Sequence, residues 1–285
     1  MFEMKIFSIG ILLYLLLTNV SAQSFVYQYD FGEFANASSF HINPAGYLFV
    51  TDTGTDEIYK LDTLGILLKD AGGYGWSEGA FDDPTGIYAT TLNVYVCDKN
   101  NHRLQSFDKD LNFVSTLYTR ESSNEDERFG YPVSCAVSRQ GDLFLLDSEN
   151  NRVIGFDLFG NFLRNFGGYD AGSFQLSKPL VLRTSGYSNI FVLDKNDIII
   201  YDSYGNGISS FPHKGLINDL NIIFNNFSAS CDSMVFINNA SSNDELKLVQ
   251  VNLTGFPPMK DIVSSLIFNN KLYVLRRNCI VVFEK

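Results

Sequence analysis

The sequence predicts an all-β chain: a six-bladed β-propeller of four-stranded antiparallel blades, its ring closed by an N-terminal strand that completes the last blade. Three observations lead there. A short apolar tetrapeptide, ending in an acid in four of its six copies, recurs along the chain at steps of 46, 49, 47, 44 and 38 residues. Around it recurs one internal order of strand, polar turn, strand and Asp-x-x-Gly turn. No stretch carries the spacing of an amphipathic helix.

The N-terminus is read first, because it stands outside the fold. Lys5 precedes an apolar run from Ile6 to Leu17, and small and polar residues then end in Val20-Ser21-Ala22. This is the n-region, h-region and small-x-small site of a signal peptide. The run falls short of the roughly 20 residues of a membrane span. Residues 1–22 are therefore expected to be a cleaved leader, residues 23–285 a single domain, and the product secreted or periplasmic, with no integral membrane span after cleavage. The alternative is a retained anchor. The formal net charge of −11 makes nucleic acid and anionic lipid poor partners.

The repeat starts at Phe49-Val50-Thr51-Asp52 and continues at Tyr95-Val96-Cys97-Asp98, Phe144-Leu145-Leu146-Asp147 and Phe191-Val192-Leu193-Asp194. Two degenerate copies follow, Val235-Phe236-Ile237-Asn238 and Tyr273-Val274-Leu275-Arg276. A second acid comes ten residues after the first at Asp62, Asp108 and Asp157, with Gly three residues later in Asp62–Gly65, Asp157–Gly160 and Asp202–Gly205. Asn252-Leu253-Thr254-Gly255 joins this set, and the turn from Asp108 to Asn112 reads as one residue longer. Asp bonding its own turn and Gly supplying positive φ make these hairpins. In the second unit the strands are Gly86–Ala89, Val94–Cys97, Leu104–Phe107 and Phe113–Tyr118. The last unit ends after its third strand, and Ser24–Phe31 has no unit of its own, so pairing the two closes the ring and removes an open edge.

The phrases NVYVCDKNNHRLQSFDKDLNFV and DLFLLDSENNRVIGFDLFGNFLRNFG resemble NHL repeats, with Phe81 and Pro84, Phe129 and Pro132, and Phe174 and Pro179 opening successive units. The resemblance implies a six-bladed propeller and no single activity, since members bind proteins, RNA or glycans or belong to larger enzymes. Because Asp52, Asp98, Asp147 and Asp194 recur from blade to blade, they are read as structural latches, with Arg103 and Arg152 as their cationic partners.

Candidate chemistry is sparse. His41, His102 and His213 occupy unrelated positions of the repeat, and His41 alone is placed on an innermost strand. No Ser-His-Asp elbow or phosphate-binding glycine loop is present. The cysteines, Cys97, Cys135, Cys231 and Cys279, have no zinc spacing. Four Cys allow three disulfide pairings, with buried thiols the reading preferred at Cys97 and Cys135. The innermost strands expected at Ser39–Ile42, Gly86–Ala89, Ser134–Ser138 and Val181–Thr184 hold no Asp or Glu. That weighs against an axial divalent metal of the gluconolactonase and regucalcin kind, the alternative function, and no metal or cofactor is expected. Topology puts the Asp-Asn-Arg turns and the inter-blade links on one face. Tyr74, Trp76, His102, Arg103, Arg152 and Tyr169 are the candidate binding residues there, with packing between blades the competing role for the aromatics. The expected activity is non-enzymatic binding of a protein, peptide or glycan by a monomer; a purely structural module is the third reading. N-terminal sequencing of the exported product should begin at Gln23; a product beginning at Met1 would overturn the leader assignment.

Overall fold

A computed structural model describes residues 23–213, 215–238 and 246–285. The leader expected at residues 1–22 lies outside the described residues. Five four-stranded antiparallel sheets and a sixth, five-stranded sheet form the blades. The one helical element among the described residues is a short turn at Gly172–Phe174, and no helix there is long and apolar enough to cross a membrane.

The second blade illustrates how residues make the fold. Its strands are β6 (Pro84–Ala89), β7 (Asn93–Asp98), β8 (Arg103–Asp108) and β9 (Phe113–Leu117). In β7, Val94 and Val96 enter the core shared with the first blade, whereas Cys97 points into the core shared with the third. Side chains alternate between faces as in any strand. Both faces meet a neighbouring blade, so the run reads as continuously apolar rather than alternating. The hydrophobic core is accordingly split into six clusters, one per blade interface, from the first-second pair round to the sixth-first pair. Exposure concentrates in the outermost strands, such as β9, where three of the five residues are exposed. A register shift near the start of the innermost strand recurs at Ala37/Ser39, Pro84/Gly86, Pro132/Ser134 and Ile262/Ser264. Such bulges bend and twist a strand, and here they do so at matching positions around the ring.

The ring closes as expected. β1 (Ser24–Phe31) pairs antiparallel with β25 (Ile280–Glu284), setting Tyr27 opposite Phe283 and Phe31 opposite Ile280. An extra strand was not foreseen: β22 (Asn252–Thr254) pairs in parallel with the first half of β1. Asn252–Gly255 is therefore not an Asp-x-x-Gly hairpin.

Two further expectations need correction. In the fifth blade, Val235–Asn238 is the third strand, and the second is β19 (Asn226–Ser230), so the equivalent of Asp52 is Ser230. The fifth blade shortens its first hairpin to Phe224-Asn225, which shifts the apparent repeat. The Asp108 turn has the same length as the others: the Leu111 amide bonds the Asp108 carbonyl at 3.0 Å, as Gly65 bonds Asp62 at 3.1 Å. Leu111 takes the positive φ, 57°, that glycine takes elsewhere. Its side chain is buried against Phe107 and Phe113, which offsets the strain of order 1–3 kcal/mol.

Closure rests on few side chains, so it can be weighed. Phe25 is 2% exposed in the core between the fifth and sixth blades. Phe25→Ala should cost about 3–5 kcal/mol by urea unfolding, while Val26→Ala, at a half-exposed position on the same strand, should cost under about 1 kcal/mol.

Candidate functional site

Each blade but the fifth fixes its inter-blade link with charge at the end of its second strand. Asp52 accepts from the amides of Ala35 at 2.6 Å and Asn36 at 2.8 Å. Asp98 accepts from the amide of Asp82 at 2.8 Å, and Asp194 from those of Ser177 and Lys178 at 3.1 and 2.7 Å. Asp147 accepts from the Gly130 amide at 3.2 Å. All four carboxylates are buried. In the sixth blade the charges are exchanged: Arg276 stands at the strand end and grips Asp261 of the link at 2.8 and 3.1 Å.

Arg103 extends this device. Its Nε donates to Asp98 at 2.7 Å, and its two terminal nitrogens donate to the carbonyls of Trp76, Ser77 and Ala80 at 2.6 to 3.0 Å. At 4% exposure Arg103 cannot itself meet a partner; it supports the face from beneath. What it supports is the Gly72–Ala80 loop, which needs positive φ at Gly72, Gly73 and Gly75 to fold back on itself. The Trp76 ring lies 5.0 Å from the guanidinium and edge-on to Tyr118 at 6.1 Å, yet remains 57% exposed. Tyr74 and Tyr169 are exposed as well, so none of the three is spent on packing between blades. Arg152 repeats the role of Arg103 more loosely, reaching Asp147 at 3.3 Å and the Arg128 carbonyl at 2.8 Å. Beside it, Arg120 forms a two-pronged pair with Glu149 at 2.8 and 3.1 Å. His102 caps this group: its Nδ1 accepts from the Tyr131 amide at 3.2 Å and its ring meets that of Tyr131 edge-on. Partial burial, then the nearby Arg120 charge, push its pKa down.

The propeller axis holds charge that the sequence reading did not place there. Arg183, from β14 (Val181–Thr184), is 2% exposed; its Nε donates to Asn221 at 2.7 Å and one terminal nitrogen to Ser134 Oγ at 3.1 Å. Asp219 opens the fifth blade's innermost strand, β18 (Asp219–Ile223). It accepts from Ser264 at 2.5 Å and lies 4.0 Å from Arg183. Burial pushes its pKa up to about 6 against the opposing pull of Arg183. The shifted fifth repeat hid this acid, whereas the arginine inside VLRT was a visible signal. This donor set does not fit an axial dication: a fixed guanidinium faces the single carboxylate. Among the described residues no three His, Cys, Asp or Glu side chains come together as a metal site. The four cysteines are free.

His41 sits nearer the opposite mouth, 4% exposed and 4.4 Å from the Tyr88 ring. Its Nδ1 accepts from the Ala89 amide at 3.2 Å, which leaves the proton of the neutral ring on Nε2. That nitrogen is buried and has no hydrogen-bond partner. Burial, reinforced by the Arg183 charge, lowers the His41 pKa to about 3. His213 differs, since both of its nitrogens are bonded, one to the Asp194 carbonyl and the other to the Ile217 amide.

Asp219 gives a pH test. Its folded pKa lies above the unfolded value of 3.8, so its stabilising contribution is full below pH 3.8 and is lost as pH rises through about 6. The stability of the parent relative to Asp219→Asn should therefore fall by about 2 kcal/mol between pH 4 and 7, read by urea unfolding across that range. A pH-independent difference would show that Asp219 titrates as an ordinary carboxylate.

Comparison with known proteins agrees with this architecture. The family model described as NHL repeat matches residues 81–107, which open and build the second blade. Over 143 residues the chain is 30% identical to the protein brain tumor of Drosophila melanogaster, covering 49% of this chain and 13% of that one. Over 142 residues it is 29% identical to the B-box type zinc finger protein ncl-1 of Caenorhabditis elegans, covering 49% and 16%. The chain thus spans a small part of the length of these relatives. Among solved structures, virginiamycin B lyase from Staphylococcus aureus superposes with a TM-score of 0.60 at 13% identity, over 87% of this chain and 80% of that one. A gluconolactonase from Xanthomonas campestris superposes with a TM-score of 0.63 at 12% identity, over 89% and 87%. At such identity these two likenesses concern the fold alone. The chain is thus a six-bladed β-propeller whose second blade carries a match to the NHL repeat.

Proposed function

We propose that the chain is an exported, non-enzymatic scaffold that binds a protein, peptide or glycan on the face of its inter-blade links, with Trp76 as the anchor. The observation that carries this reading is the state of Trp76: more than half exposed, yet mounted on a loop whose carbonyls are held by the buried Arg103. An aromatic already fixed in place loses little conformational entropy when a partner covers it, and such residues dominate binding energies. Tyr74 and Tyr169 extend the apolar contact, and the Arg120–Glu149 pair with Arg152 supplies directional polar groups beside it. Peptides and glycans match this mixture of ring faces and hydrogen-bonding groups. The acidic balance of the chain argues against a polyanion as the partner. Export is supported by the charged, apolar and small-residue order of residues 5–22.

Screening the purified protein on peptide and glycan arrays, followed by titration of the best binder, tests the reading. Trp76→Ala should weaken that binder at least about tenfold, as expected of a hot spot, and leave the urea midpoint unchanged. Unaltered affinity in both Trp76→Ala and Tyr169→Ala would overturn it.

A further inference from the structure

The face opposite Trp76 carries a second site of different character. There the ends of the innermost strands ring a pocket of about 340 Å³, within the size range of small-molecule sites. Tyr88, Val137, Ile222 and Phe224 give it apolar walls, and His41 and Thr184 contribute from inside. Most of the wall hydroxyls are already engaged: Thr184 donates to the Val137 carbonyl at 2.9 Å, Tyr88 to the same carbonyl at 3.3 Å, and Thr90 to the Asn93 carbonyl at 3.1 Å. The His41 Nε2–H is different, a buried donor with no acceptor in the protein. A buried polar group without a partner asks for an explanation, and an acceptor supplied by a ligand is one.

Charge narrows the ligand. The chain carries a net −11, yet no acidic side chain lines this pocket, and its one formally charged wall residue is Arg139 at the exposed rim. Arg183 on the axis is not among the lining residues. Its carboxylate neighbour 4.0 Å away, Asp219, is not among them either, so Arg139 alone sets the sign of charge at the wall. We propose that this pocket binds a small, mainly apolar carboxylate: the apolar body packs on Tyr88, Val137, Ile222 and Phe224, Arg139 supplies countercharge at the mouth, and a small shift of the wall on binding bares the covered His41 Nε2–H to one carboxylate oxygen. The site is independent of the Trp76 face and stands whether or not that face binds a partner.

The probes are phenylacetate, the isosteric phenylacetamide, and the cation phenylethylamine, titrated into the purified protein while the amide resonances of Ala89 and Thr184 are followed by NMR. Phenylacetate should bind with a dissociation constant of about 1–10 mM, the range expected for ten heavy atoms, and phenylethylamine should not bind. His41→Phe, which removes the donor and keeps a ring, should weaken phenylacetate about tenfold, and Arg139→Ala about threefold. Arg139 is exposed, so its variant tests the site even if His41→Phe folds poorly. Trp76→Ala should leave the titration unchanged. The proposal fails if phenylacetate moves neither amide up to about 20 mM, if phenylacetamide or phenylethylamine binds as tightly, or if both pocket variants bind phenylacetate like the parent.

Discussion

Every inner strand of this propeller is reached through a link that crosses from the outside of one blade to the axis side of the next. A link of that kind exposes backbone amides where no strand can pair them. The buried carboxylate at the end of the second strand resolves the problem: Asp52, Asp98, Asp147 and Asp194 each accept amides from the link entering their own blade. A buried charge is tolerable because those amides solvate it in place of water. Pinning the entry to five of the six blades holds their innermost strands in register with the axis, on which the inter-blade cores and the closed ring depend. That the sixth blade reaches the same end with Arg276 and Asp261 exchanged indicates that the constraint is electrostatic, and not a requirement for aspartate as such.

The same device explains why the exposed aromatics collect where they do. Arg103 bonds three carbonyls of one short loop in addition to Asp98, so a glycine-rich segment that would otherwise sample many conformations presents a single one. The link-side face can therefore afford long, variable loops without losing shape. The opposite face is built from tight hairpins and needs no such support, which leaves its axial opening to the innermost strands themselves.

Blades one to four were legible because their turns obey strict local chemistry. Asp must open each turn and a positive φ must follow three residues later, supplied by Gly in blades one, three and four and by Leu111 in blade two, and that spacing survives in the residues. The fifth blade lost both signals: its second strand ends in Ser230, and its first hairpin is shortened. Hydrophobic pattern alone then could not separate its second strand from its third, since both are buried. The same shift conceals Asp219, which opens the innermost strand of that blade. His41 was assigned correctly to an innermost strand, but the orphaned state of its Nε2 depends on the Ala89 amide of the next blade, a contact no local pattern encodes. Exposure of Tyr74, Trp76 and Tyr169 was likewise undecidable from composition, because packing between blades and presentation to solvent use the same residue types.

The pairing of β1 with β25 has a consequence for how the chain is made. The strand nearest the N-terminus is the first of the propeller to leave the ribosome, and its partner is almost the last. Until Ile280–Glu284 is available, Ser24–Phe31 can find at most the short parallel contact with Asn252–Thr254. A chain lacking that strand cannot complete its ring, and its first strand keeps an unpaired edge. Closure of the ring therefore waits on Ile280–Glu284, and every other blade can form before it.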